Sequence, residues 1–133
     1  MAAIATVERL LANDGEVYRT VDNLGQHMQK GLGDIVGKLG MEAVVARQGS
    51  AFCLYSMDHH PKDWHDLASH HRFTVDEQMR RAMIDHDVYV FPLATKQWSI
   101  SAAHTPDEID TTLQKMERVL TSPDLIASVN QPV

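Results

Sequence analysis

Between Glu16 and Leu39 the apolar residues Val17, Val21, Leu24, Met28, Leu32, Ile35 and Leu39 recur every three or four positions. That repeat marks one face of an α-helix. Gly25, Gly31, Gly33 and Gly37 lie in the same segment, and each costs about 1 kcal/mol against alanine in a helix interior. A helix so weakened forms because its apolar stripe packs on a sheet, not because of its own propensity. The rest of the chain must therefore supply that sheet. Lys38 and Gly40 form a C-terminal signal for the helix.

A shorter helical segment, Ala2 to Ala12, precedes it, with Ile4, Val7, Leu10 and Leu11 at helical spacing; Asn13-Asp14-Gly15 interrupts the two. Downstream, Ala43 to Gln48 and Ala51 to Met57 read as strands joined at Gly49-Ser50 in a hairpin. Asp58 to Phe73 is polar, rich in histidine and contains Pro61, which predicts a loop with one helical turn near Trp64 to Leu67. Thr74 and Glu77 have the spacing of a capping box opening a helix to Asp85. Val88 to Phe91 reads as a strand, Pro92 to Gln97 as a loop and Trp98 to Ala102 as a further strand. Thr105-Pro106-Asp107-Glu108 is a second capping box, with proline at the first helical position and acidic residues at the positive end of the dipole. Ile109, Leu113, Met116 and Leu120 form the stripe of that helix. The expected architecture is α+β: a small, mainly antiparallel sheet of about four strands covered by helices and preceded by a long helix. Residues 1–120 form the domain and 121–133 a loose tail.

The chain has 133 residues, a net charge of −6 and one cysteine, Cys53. The acidic balance argues against a nucleic-acid binder. No apolar run is long enough to span a membrane. The N-terminus lacks the basic and apolar regions of a signal peptide. A single cysteine rules out an intramolecular disulfide and fits the reducing cytoplasm.

Ser101-Ala-Ala-His-Thr-Pro-Asp-Glu-Ile-Asp110, Gly49-Ser-Ala-Phe-Cys-Leu-Tyr55 and the pair Asp63-Trp64 resemble the C-terminal small domain of class III pyridoxal-phosphate-dependent aminotransferases, the glutamate-1-semialdehyde aminomutase branch in particular. The likeness runs over nearly the whole of residues 1–120, and the segment from Ser101 to Asp110 is its most specific part. It implies the small domain of a fold-type I pyridoxal phosphate enzyme, including the helix that links the two domains. The family's Schiff-base lysine belongs to a large domain that would precede Met1. The resemblance therefore implies no catalytic or cofactor-binding residue in this chain and no activity or pyridoxal phosphate binding by the chain alone. Its implied partners are a separately supplied large domain and a second copy of itself, with association through the helix from Ala2 to Leu11. The small domain closes over the active site and contributes an entrance loop, here Leu93 to Trp98. Where the aminomutase branch carries a Phe-Glu-Ala run, this chain has Thr95, Lys96 and Gln97. A positive charge at Lys96 suits a substrate carboxylate better than an amino group, which favours an aminotransferase-like relative with a different substrate. From a different class comes the alternative of a free-standing α+β interaction or ligand-sensing module derived from that domain.

Read on the residues alone, the remaining candidates have ordinary explanations. His59, His60, His65, His70 and His71 cluster in one loop, with Asp58, Asp63 and Asp66 among them. No cysteine and no recognised zinc spacing accompanies them, so a solvated loop without metal is expected. Cys53 with His104 as base is a possible nucleophile pair, but a mid-strand thiol between apolar neighbours is a small core hydrophobe. Lys96 lies in a polar loop and by itself reads as a solvated lysine. His104 supports the turn before the last helix.

Overall fold

The computed structural model describes residues 2–129. Helix α1 (Ala2–Leu39) is two arms meeting at a break. Ala12 is extended, and Asn13, Asp14 and Gly15 all take left-handed dihedrals with φ of 53°, 57° and 70°. Asparagine, aspartate and glycine tolerate that conformation best. The Arg19 guanidinium closes the break by donating to the carbonyls of Asn13 and Asp14. Beyond it, Leu24, Met28, Leu32 and Ile35 of the predicted stripe are buried, together with Val36, which the spacing did not include; Val17, Val21 and Leu39 are half-buried.

Two of the four glycines have a packing reason. A Cβ at Gly25 would collide with the Gly49 carbonyl oxygen, and one at Gly31 with the Leu113 side chain. The helix thus lets the hairpin turn and a later helix approach its backbone. Among the described residues, apart from the adjoining residues and the helix's own backbone, no atom lies within 4 Å of a Cβ built at Gly33 or Gly37.

The sheet has strand order β1-β2-β3, with β1 (Val44–Gln48), β2 (Ala51–Tyr55) and β3 (Trp98–Ser99) antiparallel. Gln48 pairs with Ala51 across a two-residue turn, in which Gly49 has φ +57°. Arg47 ties β1 to α1, its guanidinium donating to Asp22 Oδ1 at 2.7 Å and Gln29 Oε1 at 2.9 Å.

Among the described residues three strands form where about four are expected. Val88 to Phe91 keeps the alternation of a strand, with Val90 6% exposed between Tyr89 at 79% and Phe91 at 49%. It joins no ladder, because two of its backbone groups turn to the neighbouring helix: Val88 N donates to Met83 O, and Phe91 O accepts from Arg80. The expected strand Trp98 to Ala102 stops at Ser99. Ile100 N still reaches Ser50 O at 3.0 Å, but Ser101 N donates to His104 Nδ1 and turns the chain away.

The histidine-rich segment contains α2 (Trp64–His70), longer than the single turn expected, with Asp63 as its side-chain cap. Helix α3 (Phe73–Asp85) starts ahead of Thr74, with Arg72 at the cap position and no side-chain cap. The capping box expected at Thr74 therefore does not form; Thr74 lies inside the helix and is exposed. Helix α4 (Pro106–Leu120) has its box complete: Thr105 N donates to Glu108 Oε2 at 2.7 Å, and Glu108 N to Thr105 Oγ1 at 3.3 Å. Ile109, Met116, Val119 and Leu120 are buried, and Leu113 half-buried. The sequence reading leaves 121–133 loose, but Pro123–Val129 forms α5. Leu125 anchors it in the core at 3% exposure, against α3 and α4. Residues 130–133 lie outside the described residues.

Candidate functional site

The loop from Leu93 to Trp98 rests on a buried polar network that the sequence reading does not anticipate. Asp76 and Arg80 project from one face of α3, a turn apart, and neither is exposed. Asp76 Oδ1 accepts from Arg80 Nε at 2.6 Å. Asp76 Oδ2 accepts from the backbone N of Thr95 at 2.7 Å and from His71 Nε2 at 3.0 Å. The Arg80 guanidinium donates onward to Lys96 O at 2.8 Å and Phe91 O at 3.0 Å, and lies 5.6 Å from the Trp98 ring centroid. Three backbone groups of the 91–96 segment are thereby fixed to a single helical face.

His71 has one tautomer in this arrangement. Ser56 N donates to His71 Nδ1 at 3.1 Å, so Nδ1 accepts and the proton sits on Nε2, aimed at Asp76. Burial is the largest influence on Asp76 and opposes its charge. Even so, the donors on His71, Thr95 and Arg80 outweigh it and hold the carboxyl below the usual carboxylate range. An uncompensated buried charge is costly. Here the Asp76 carboxylate has a full set of donors, and the Arg80 cation balances it.

Thr95 takes φ +64°, a left-handed conformation uncommon for a β-branched residue. Its N–H bond to Asp76 holds it there. Lys96 and Gln97, by contrast, are exposed. The three predicted site residues thus divide: Thr95 half-buried and anchored by its backbone, Lys96 anchored by its carbonyl with its side chain exposed, and Gln97 at the rim. Gln97, Trp98, Phe52, Tyr89, Phe91 and Ile100 line a cleft of about 330 Å³ beside the loop, and Leu93 is 50% exposed.

Burial pushes the Cys53 thiol up to about 11, with the Asp76 charge adding to it, which suits an inert core thiol and not a nucleophile. Cys53 contacts Arg80 and Lys96 O, whereas His104 binds Ser101 in an exposed turn. No lysine among the described residues is buried, and Lys30, hydrogen-bonded to Asp34, is held above its usual range. A lysine that captures an aldehyde needs the opposite shift, which Lys30 does not have. The signal for the network was available as Asp76 and Arg80 at helical spacing within an apolar stripe. His59, Asp66 and His70, which were expected to be solvated, are drawn together.

No protein-family profile matches the chain. A glutamate-1-semialdehyde 2,1-aminomutase from Pyrobaculum islandicum is 32% identical over 124 residues, covering 90% of this chain and 28% of that protein. The aminomutase of Alkaliphilus metalliredigens is 30% identical over 114 residues, covering 86% and 26%. The chain thus spans about 28% of the length of the first of these relatives. Among solved structures, a glutamate-1-semialdehyde aminomutase from Pseudomonas aeruginosa superposes with TM-score 0.74 at 13% identity, over 95% of this chain and 27% of that one. An omega-transaminase from Sphaerobacter thermophilus gives 0.75 at 16% identity, over 90% and 26%. A transaminase solved with pyridoxal phosphate bound shares the fold as well, with TM-score 0.71 at 16% identity, over 98% of this chain and 28% of that one. The sequence relatives and the shared fold agree with the resemblance carried by Ser101 to Asp110, and the chain fits a C-terminal fragment of class III pyridoxal-phosphate-dependent enzymes similar to glutamate-1-semialdehyde 2,1-aminomutase.

Proposed function

We propose that this domain serves as the closing half of a class III aminotransferase-like active site, with Thr95, Lys96 and Gln97 at the substrate entrance. The observation that carries the reading is the division of the loop. Its backbone is fixed at Phe91, Thr95 and Lys96 by the buried Asp76–Arg80 pair, while the Lys96 side chain is exposed. A preorganised backbone presenting an exposed cation suits recognition of a substrate carboxylate. Lys96 then acts as a binding residue, and amino-group transfer requires the cofactor and lysine of the large domain.

The test is steady-state kinetics in a complete enzyme carrying this segment. Lys96→Ala raises KM for the carboxylate-bearing substrate severalfold with little change in kcat, the pattern of lost binding. An unchanged KM overturns the assignment. The chain alone gives no saturable absorbance change on titration with pyridoxal phosphate.

The same reading supplies partners for two apolar faces. Tyr89, Phe91 and Leu93 are exposed together beside the loop, a face that the large domain covers. Ile4, Val7 and Leu11 are exposed along the first arm of α1 at 62%, 53% and 66%, which supports self-association through that arm. Sedimentation showing a monodisperse monomer over a wide concentration range overturns the second. Among the described residues no helix is long and apolar enough to cross a membrane. The reading places the chain in the cytoplasm, where the buried free Cys53 stays reduced.

A further inference from the structure

Away from the entrance loop, the histidine-rich segment folds back over α2. Asp66 and His70 stand a turn apart on that helix and face the same side. His59, from the preceding loop, meets them: His59 Nε2 lies 3.1 Å from both Asp66 oxygens, and His70 Nδ1 lies 3.1 Å from Asp66 Oδ1. All the potential ligand atoms fall within 4.8 Å of one another. Bonds of about 2.1 Å around a tetrahedral zinc place neighbouring ligand atoms roughly 3.4 Å apart, close to the 3.1 Å from each histidine to Asp66; the two histidine nitrogens need only stay within the 4.8 Å span.

A second feature points the same way. Asp58 Oδ1 sits 2.6 Å from His59 Nδ1, so a carboxylate fixes the far nitrogen of the ring and leaves Nε2 directed at Asp66. Metal-ligating histidines are oriented by such carboxylates. The Asp66 carboxylate is itself positioned by the Lys62 backbone N at 3.0 Å. The site also has a competing contact. His70 Nδ1 lies 2.9 Å from the Asp66 carbonyl, and an ion must displace that hydrogen bond.

We propose that His59, Asp66 and His70 bind a zinc ion, with Asp58 as the carboxylate that orients His59. Two imidazoles and a carboxylate leave a coordination position open. His70 is half-exposed, so water can reach the cluster to fill that position.

Equilibrium dialysis and calorimetric titration of the folded chain with zinc test this, with cobalt as a visible-absorption probe of coordination. One zinc per chain is expected, with tetrahedral cobalt absorption. His59→Ala and His70→Ala weaken binding at least tenfold, Asp58→Asn weakens it about 10–100-fold, and His65→Ala leaves it unchanged. His70 is exposed, so its replacement leaves the fold intact. Absence of stoichiometric uptake overturns the site, as does an affinity indifferent to His59→Ala and His70→Ala. Equal loss in His65→Ala also overturns it, because the zinc is then held diffusely by the histidine cluster.

Discussion

Arg80 Nε donates to Asp76 Oδ1 at 2.6 Å from one turn further along the same helix, with both side chains fully removed from solvent. Removing one partner leaves the other as an uncompensated buried charge, which is destabilising by about 3–5 kcal/mol. Arg80→Met, which keeps the stem, is expected to show a loss of that size in equilibrium urea unfolding. It also frees the carbonyls of Phe91 and Lys96, so amide exchange across residues 93–97 accelerates.

The same pair sets an acid limit. Because the folded-state carboxyl of Asp76 titrates below its ordinary value, its contribution to stability is complete above the unfolded pKa of about 3.9. It is lost as pH falls through the folded value. Stability measured by urea unfolding from pH 5 down to pH 2 should decline, and Asp76→Asn should flatten part of that slope while lowering stability at neutral pH. The remaining slope includes Asp22, Asp58, Asp66 and Glu108, which are also held low.

Alanine substitutions at Gly25 and Gly33 have opposite expected signs. Gly33→Ala meets open space and should stabilise the chain by about 1 kcal/mol. Gly25→Ala drives a methyl group into the Gly49 carbonyl and should lower the melting temperature by displacing the hairpin turn. A gain at both positions would mean that the hairpin does not press on α1.

Two sequence motifs of the same form differ in consequence. Thr105 caps α4 through its hydroxyl, and Thr105→Ala is expected to destabilise by about 0.5–2 kcal/mol. Thr74 makes no cap, so Thr74→Ala should fall within about 0.5 kcal/mol of neutral, the usual range for surface substitutions. Paired thermal melts of the two variants check the contrast.

That contrast also shows what periodicity and caps can and cannot reveal. The helix break at Asn13 to Gly15, the hairpin at Gly49 and the start of α4 were legible because local chemistry decides each: left-handed tolerance, a two-residue turn, a closed capping box. Thr74 misleads because tertiary packing sets the start of α3: Asp76 turns inward to meet Arg80, His71 and Thr95. Val88 to Phe91 has a strand's alternation, yet pairing needs a neighbour, and no alternation encodes one. For the site, the loop and its three residues could be placed from the family likeness. The network beneath them was missed although Asp76 and Arg80 stand at helical spacing, because aspartate and arginine in a helix read as surface until their partners are known. The approach of His59 to Asp66 and His70 was hidden for a related reason, since it depends on a loop folding back across positions that share no helical face.

The break at residues 12–15 divides α1 thermodynamically as well as geometrically. With the hydrogen-bond ladder interrupted, the arm from Ala2 to Leu11 gains no cooperative support from the stable half beyond it. Isolated helices shorter than about 12–15 residues are marginal in water. The helicity of that arm therefore reports whether anything lies against Ile4, Val7 and Leu11, so its circular dichroism signal works as a built-in gauge of contact.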